Sequence, residues 1–258
     1  MSQQLIVERS GNIETWWINL PDIRNPITSP EMIEAFVDNT ARVDRDQDVR
    51  CVILTGAGKA FSAGGNLKDI AERQGMFGGS PYVQRNGYRH GVQRIPLALH
   101  DCEVPFVAAV NGPAVGAGCD LAMMCDLRIA SEQAFFAESF VQLGLIPGDG
   151  GAWFLTQAIG PARAAEMALT GDRIDARTAL EWGIVTRVCA PGDLLDEARA
   201  LAERIAKNPG PSVRMTKKLL REARRRDLAG VLELSASMQA LAHHTEEHRA
   251  SMDKIAKR

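Results

Sequence analysis

The sequence predicts an α/β fold, and three features of its hydrophobic pattern carry that prediction. First, two short apolar runs, CVILTG at 51–56 and PFVAAVNG at 105–112, are typical of strands buried on both faces. Second, each run leads into a glycine-rich turn and then a segment with helical spacing. Third, the pattern is helical from residue 162 onward. Together these features indicate strands and helices layered around one core, followed by a helical tail.

The N-terminal part predicts a hairpin and a long helix. Residues 5–21, LIVERSGNIETWWINLP, are interpreted as two strands joined by a turn at 10–12. Ser29 and Pro30 are a typical N-cap and first helical residue, and apolar residues follow them at helical spacing. Further along, DLRIASEQAFFAE at 126–138 repeats the strand pattern. The chain therefore alternates between the two kinds of element.

Two segments define the predicted organisation around this core. Residues 71–95 mix Gly, Arg and Gln, and we expect a long mobile loop of the kind that covers binding sites. The composition changes again near residues 190–193. This change predicts a core domain over 1–192 and a C-terminal helical region over 193–258.

Composition limits the classes of function. Thirty Lys and Arg residues against thirty-two Asp and Glu residues give a formal net charge of -2, so no overall field attracts nucleic acid or an anionic membrane. Any anion-binding site must be local. The N-terminal residues lack the features of a signal peptide, and no apolar run is long enough to span a bilayer, so we expect a cytoplasmic protein. The five cysteines are expected to be reduced thiols, and their spacing predicts no metal site.

Two glycine-rich turns, SAGGN at 62–66 and VGAGCD at 115–120, each follow a strand and open a helix. The nearby GAGKAF at 56–61 lacks the glycine and Ser/Thr spacing of a P-loop, and GAGCDL has Leu121 where a dinucleotide fingerprint has its third glycine. N–H groups at helix N-termini lack internal partners, so two of them could stabilise a carbonyl oxygen that gains negative charge. Gly65 and Ala117 are the candidate donors. Alternatively, small residues here only permit tight turns.

Together with these turns, several longer motifs resemble the enoyl-CoA hydratase/isomerase, or crotonase, family over nearly the whole chain. They are NGPAVGAGCDLAMMCDLRIASEQAFF, LGLIPGDGGAWFL, EMALTGDRIDARTALEWGIVTRV and SVRMTKKLL. The resemblance implies a spiral of ββα units and a C-terminal helical trimerisation region, often in a hexamer built as a dimer of trimers. It also implies an acyl-CoA thioester as substrate, with coenzyme A as part of the substrate and no further cofactor.

The resemblance also assigns roles to individual positions. It implies that the thioester carbonyl lies between the backbone N–H groups of Gly65 and Ala117. It places Arg24 where a basic residue meets the phosphates of coenzyme A. The implied substrate-binding residues are Arg24, Ala63, Gly65, Asn66, Leu67, Lys68, Ala117 and Phe140.

The chain departs from the family pattern at the acids. Hydratases of the family pair two glutamates, and here those positions hold Asp120 and Phe140. Glu138 lies two residues before Phe140, so in an extended segment both side chains would point toward the pocket. Asp149 lies one residue after Gly148, where isomerase-type and dehalogenase-type relatives carry an acid. The candidate catalytic residues are therefore Asp120, Glu138 and Asp149, although each also fits a structural role at a helix N-terminus, strand end or turn.

We therefore expect an acyl-CoA enzyme that stabilises a thioester enolate and uses these carboxyls for proton transfer. Double-bond isomerisation needs one well-placed acid/base, whereas hydration must also position a water molecule, so the missing glutamate favours isomerisation over hydration. Two alternatives remain open: a catalytically silent acyl-CoA-binding protein of the same fold, and a hydrolase of thioester or C–C bonds.

Overall fold

A computed structural model describes residues 3–257 of the chain. Its strands are β1 (Leu5–Ser10), β2 (Ile13–Ile18), β3 (Cys51–Gly56), β4 (Phe106–Val110), β5 (Ala114–Val115), β6 (Leu127–Ser131), β7 (Phe135–Ala137), β8 (Ile174–Asp175) and β9 (Arg187–Cys189). Its helices are α1 (Pro30–Arg45), α2 (Leu67–Ala71), α3 (Pro81–His90), α4 (Arg94–Asp101), α5 (Ala117–Met124), α6 (Gly151–Thr170), α7 (Ala176–Trp182), α8 (Leu194–Ala206), α9 (Gly210–Glu222), α10 (Leu228–His243) and α11 (Glu246–Ala256).

The strands form a central sheet of order β1-β2-β3-β4-β6-β9 and a small sheet of order β5-β7-β8. Strands β1 and β2 pair antiparallel, which confirms the predicted hairpin. The other neighbours in the central sheet are parallel, and parallel strands need a crossover connection. All residues of β3 and β4 are buried, as their apolar runs predict. The central sheet thus joins the ends of β3 and β4, which lead into the two glycine turns.

Local capping explains where the first long helix begins. The Ser29 side chain accepts a hydrogen bond from the Met32 N–H at 3.1 Å, and Pro30 occupies the first helical position. A proline is tolerated there because the N–H that it lacks would have no helical partner. The predicted start of this helix is confirmed.

The segment 71–95 is mostly helical, so the prediction of a long mobile loop is wrong. It contains a 3₁₀ turn at Gly75–Phe77, then α3, then the start of α4. Ser80 caps α3 by accepting a hydrogen bond from the Val83 N–H at 3.4 Å, and Pro81 follows it. This is the same N-terminal signal as in α1, but α3 is too polar for its apolar spacing to reveal it.

The core has an apolar cluster on each face of the central sheet. The larger cluster joins the sheet to α1, α4, α5 and α6. On the other face, Leu194, Ala198 and Ala202 of α8 pack against Ile53 and Ile129. Helix α8 begins just after the predicted boundary at 192/193 and still belongs to the packed core, so a division into domains at that point stays a prediction. All five cysteines are free thiols.

The last two helices have a different environment. Helices α10 and α11 contain no buried residue, although they carry large apolar side chains. The exposed ones are Leu228, Leu232, Leu241, Met252 and Ile255. Among residues 3–257, no helix combines the length and apolar character needed to cross a bilayer. The expected C-terminal helical region is confirmed.

Candidate active site

The two glycine turns lie in contact with each other. The Val115 N–H donates to the Ser62 carbonyl at 3.0 Å, which joins the start of one turn to the other. Gly64 has φ of +78°, and a Cβ atom built on it would lie 2.7 Å from the backbone nitrogen of Ala117. Only glycine meets both conditions, because other residues disfavour positive φ and would overlap the second turn. The close approach of the turns therefore depends on Gly64.

The first turn uses all but one of its backbone N–H groups. The Ser62 N–H donates to Pro113 O at 3.1 Å, and the Ala63 N–H donates to Arg24 O at 2.8 Å. The Gly64 N–H donates to Ser62 Oγ at 3.0 Å, and the Asn66 N–H donates to Thr28 Oγ1 at 3.4 Å. The N–H of Gly65 donates to no group among residues 3–257. Gly65 is half-buried, so its free N–H is accessible to an acceptor from solvent or from a bound ligand.

The second turn presents a similar donor. The Gly116 N–H donates to the Ala137 carbonyl at 2.8 Å, and Ala117 is the first residue of α5. Its N–H has no hydrogen-bond partner in the described part of the chain, as is usual at a helix N-terminus. Gly65 and Ala117 line one cavity of about 880 Å³. Two unused donors that face one cavity are what an oxyanion site requires.

The cavity contains most of the predicted substrate-binding residues. Arg24, Ala63, Gly65, Leu67, Ala117 and Phe140 all line it. Asn66 and Lys68 do not: the Asn66 side chain instead caps α2 by accepting a hydrogen bond from the Lys68 N–H at 3.0 Å. Two free backbone N–H groups, exposed cations and apolar side chains thus line one cavity.

Two cationic residues of the cavity were missed by sequence reasoning. Lys59 and Arg173 line the cavity and are exposed, like Arg24. Lys59 lies in GAGKAF, which has no P-loop spacing, and Arg173 is more than a hundred residues away. The sequence indicated only that any anion-binding site must be local. It did not indicate these two residues, because only the fold brings their distant segments together.

The three candidate acids converge, but only one of them reaches the cavity. Asp120 and Glu138 are 0% exposed and Asp149 is 4% exposed. Asp149 lines the cavity, whereas Asp120 and Glu138 do not. Asp120 lies on α5, Glu138 follows β7, and Asp149 precedes α6. The acids therefore form an inner pair and one cavity-facing carboxyl.

The predicted orientation of Glu138 is wrong. Strand β7 ends at Ala137, and Glu138 (φ −92°, ψ 62°) precedes a 3₁₀ helix at Ser139–Leu143. Period-two alternation holds only while the backbone stays extended, so Glu138 and Phe140 do not share a face. Phe140 lines the cavity, and its ring lies about 3.5 Å from where a Cβ of Gly116 would be.

Burial changes the protonation of all three acids. Burial, together with the charge of Glu138, raises the pKa of Asp149 to about 6. Burial also raises the pKa of Asp120 well above its usual range, and both other carboxyls add to this rise. Burial raises the pKa of Glu138 too, while the neighbouring Asp120 carboxyl and Cys119 thiol oppose the rise. A carboxyl that titrates near neutrality is suited to general acid/base chemistry.

Two glycines near the acids allow close packing that a larger residue would prevent. A Cβ atom on Gly151 would overlap Asp120 Oδ1, so the first residue of α6 has to be glycine while Asp120 keeps this position. A Cβ on Gly148 would lie 3.1 Å from the ring of Tyr88, which also lines the cavity. The IPGDGG motif thus packs α6 directly against the acids.

A family model described as enoyl-CoA hydratase/isomerase matches residues 8–258. A match over nearly the whole chain, joined to this fold and site, shows that the protein belongs to the enoyl-CoA hydratase/isomerase family. It is therefore an acyl-CoA enzyme of the hydratase/isomerase type, and the expected fold class is confirmed.

Individual relatives include both kinds of enzyme. The chain is 34% identical over 259 residues to the 1,2-epoxyphenylacetyl-CoA isomerase of Escherichia coli, covering 100% of this chain and 97% of that protein. It is 33% identical over 251 residues to the crotonyl-CoA hydratase of Syntrophomonas wolfei, covering 97% and 94%. The crystal structure of enoyl-CoA hydratase from Bacillus anthracis superposes with a TM-score of 0.92 at 30% identity, covering 99% and 96%.

Proposed function

We propose that the protein isomerises the double bond of an enoyl-CoA thioester, with the Gly65 and Ala117 amides binding the carbonyl oxygen and Asp149 moving the proton. One observation carries this proposal: of the three clustered acids, only Asp149 lines the cavity that also contains both free amides. A single acid/base beside an oxyanion site is sufficient for moving a double bond.

The reaction needs two proton transfers and no net change in composition. Asp149, ionised, takes a proton from C2 of a 3-enoyl thioester, and the electron pair delocalises onto the thioester oxygen as a dienolate. The two amides stabilise that oxygen, and the loss of one such donor typically costs about 3 kcal/mol in the barrier. Asp149 then returns the proton at C4, which leaves the 2-enoyl thioester.

Phe140 is the reason for choosing isomerisation over hydration. Hydration requires a water molecule held by several polar partners next to C3. Phe140 offers no hydrogen-bonding group, and Asp120 and Glu138 lie outside the cavity lining. Of the three clustered acids, the cavity therefore has one carboxyl for the proton and no second carboxyl beside it to hold the water.

The substrate supplies the only cofactor-like group that this chemistry uses. Isomerisation transfers a proton, so coenzyme A within the thioester is sufficient and neither redox nor metal chemistry is required. Arg24, Lys59 and Arg173 provide exposed positive charge along the cavity for the phosphates of coenzyme A. We place the enzyme in the cytoplasm, where reduced thiols such as its free cysteines are usual.

We further infer a homotrimer or a dimer of trimers. Helices α10 and α11 carry exposed leucine, methionine and isoleucine side chains and bury none of their residues within the chain. Apolar surface of this kind usually marks an interface. Light scattering after gel filtration tests the inference: a mass of three or six chains supports it, and a monomer at micromolar concentration contradicts it.

The test of the reaction compares two matched amide variants. We expect Asp149→Asn to lower kcat for a 3-enoyl-CoA by roughly 10²- to 10⁴-fold, because it removes the general acid/base. The control is Asp172→Asn, since Asp172 is an exposed acid lining the same cavity and should matter little to kcat. Calorimetry with a non-reactive acyl-CoA should give similar affinities for both variants and the wild type.

Other outcomes point to other functions. Faster hydration of crotonyl-CoA than isomerisation of 3-enoyl-CoA would make the protein a hydratase. Binding without turnover over a panel of enoyl-CoA esters would identify a silent binding protein. Release of free coenzyme A would indicate a thioester hydrolase. Each of these results contradicts the proposed isomerase.

A further inference from the structure

The active site contains two carboxyls that the proposed proton shuttle does not use. Asp120 and Glu138 are fully buried and lie within hydrogen-bonding contact of each other. Neither lines the cavity, so the proposed proton shuttle does not include them. A buried carboxyl without a role is costly, and two in contact are more so. Their function is therefore a separate question from that of Asp149.

The unmet hydrogen-bonding capacity of the inner pair favours one shared proton. If both were ionised, none of their four oxygens would have a donor among the residues that the structure describes. An ionised carboxylate only accepts, whereas a protonated carboxyl also donates. One proton therefore converts one acid into a hydrogen-bond donor for the other, and the pair keeps a single negative charge.

The surroundings decide where that proton and that charge reside. Asp120 is fully buried and close to the charges of both other acids, all of which favour its protonated form. The neighbouring Asp120 carboxyl and Cys119 thiol lower the pKa of Glu138 against the effect of burial, and so favour its charged form. The proton thus belongs on Asp120 and the negative charge on Glu138.

The negative charge of Glu138 lies near Asp149, the proposed base, which is poorly solvated. Asp149 Oδ1 is buried and has no hydrogen-bond partner in the described residues. The titratable groups around Asp149 are Glu138, Asp120 on α5, and Tyr88 on α3. Burial and the Asp149 charge both raise the pKa of Tyr88, so its phenol stays neutral at ordinary pH. Glu138 is therefore the charge that acts on Asp149.

We propose that Glu138 is a positioning residue whose negative charge, held beside the protonated Asp120 carboxyl, strengthens Asp149 as a base. This inference rests on the proposed function of Asp149 as the proton carrier. Glu138 does not touch the substrate. It favours the state in which Asp149 has taken up the proton from the thioester.

The test is the pH dependence of kcat/KM for isomerisation in two amide variants. Glu138→Gln removes the charge, so we expect the acid limb of the profile to move down by about one pH unit. We also expect kcat above the limb to fall by about three- to tenfold with little change in KM, because a weaker base removes the proton more slowly. Asp120→Asn is the matched control: its amide still donates to Glu138, so the charge stays and the limb should not move.

A second measurement does not depend on folding of the Glu138 variant. Carbon-13 NMR of the wild type with labelled aspartate should show one protonated carboxyl at pH 8, and Asp120→Asn should remove that signal. Ionisation of all aspartates at pH 8 would overturn the proposal, and so would an unmoved limb in Glu138→Gln. The two proposals can be contradicted separately. If Asp149→Asn retains its activity and the acid limb of its pH profile, the assignment of Asp149 is wrong. If Asp149→Asn is inactive but Glu138→Gln has the acid limb of the wild type, only the role of Glu138 is wrong.

Discussion

Two buried acid environments in this protein have opposite electrostatics. Glu14 of β2 is 1% exposed, and it accepts hydrogen bonds from Arg42 Nη1 and Nη2 at 2.9 and 2.6 Å and from Trp16 Nε1 at 2.9 Å. Burial alone would raise the pKa of Glu14, but the hydrogen bonds from Arg42 and Trp16 hold it below its usual value. Both carboxylate oxygens of Glu14 are therefore hydrogen-bonded, and its charge is paired with Arg42 inside the fold.

The cluster of Asp120, Glu138 and Asp149 is equally buried and has no such partners. Five of its carboxyl oxygens are buried without a hydrogen-bond partner in the part of the chain that the structure describes. The pKa values of all three acids are raised, first by burial. The comparison shows that partners, rather than burial, decide the charge of an interior acid. A satisfied acid stabilises the fold, and an unsatisfied acid is available for chemistry.

The largest expected effect comes from filling the space beside the cluster. Gly151→Ala places a methyl group onto Asp120 Oδ1, so we expect the free energy of unfolding to fall by about 3 kcal/mol, along with a loss of activity. Gly192→Ala is the control, because a Cβ there meets nothing within 4 Å. Urea unfolding of both variants measures the difference. Equal stability of the two would show that the cluster has more room than the structure indicates.

A smaller effect of opposite sign is expected from Asp149→Asn. The pKa of Asp149 is about 6 in the folded protein, above its ordinary value of 3.8, so its ionisation destabilises the fold as pH rises from about 4 to above 6. The amide cannot ionise, so we expect the variant to be more stable than the wild type by about 2 kcal/mol at pH 8. The gain should vanish at pH 4. Unfolding curves at both pH values that show no gain would contradict the assignment.

The smallest effect concerns the paired acid and has the reverse pH dependence. The pKa of Glu14 is lowered on folding, so its contribution is present above its ordinary value of 4.5 and is lost as pH falls through the folded value. Since Arg42 is 42% exposed, we expect Glu14→Gln to cost only about 1 kcal/mol at pH 7, and this cost should shrink as the pH is lowered below 4.5, with activity unchanged. Glu181→Gln, in an exposed pair with Arg177, is the control. A loss that does not shrink as the pH is lowered would show that packing, and not charge, is responsible.

Elements with a strong local signal were predictable from the sequence. The buried runs at β3 and β4 and the Ser29 cap of α1 depend on residues next to one another in the chain. The same is true of the two glycine turns, whose small residues and following helices mark the free N–H groups before any coordinates are considered. Helix α3 was missed because polar residues dominate it, although Ser80 and Pro81 carried a capping signal.

Which of the three acids lines the cavity was not predictable from the sequence. The motifs identified Asp120, Glu138 and Asp149, but which of them faces the cavity depends on a backbone change at residue 138, where the strand gives way to a 3₁₀ helix. A period-two argument assumes that the strand continues. The presence of Lys59 and Arg173 in the cavity was not predicted for a related reason, since only the tertiary fold brings their segments together.

The ring of Phe140 next to Gly116 has a consequence for the neighbouring amide of Ala117. Hydrocarbon responds weakly to an electric field, so attraction between an N–H dipole and a nearby anion is damped less beside a phenyl ring than beside mobile water. In the proposed oxyanion site, an aromatic side chain at this position therefore makes the surroundings less polar beside the amide that would bind the oxygen. The residue that offers no proton-transfer group would thereby strengthen the proposed interaction between the main chain and that oxygen.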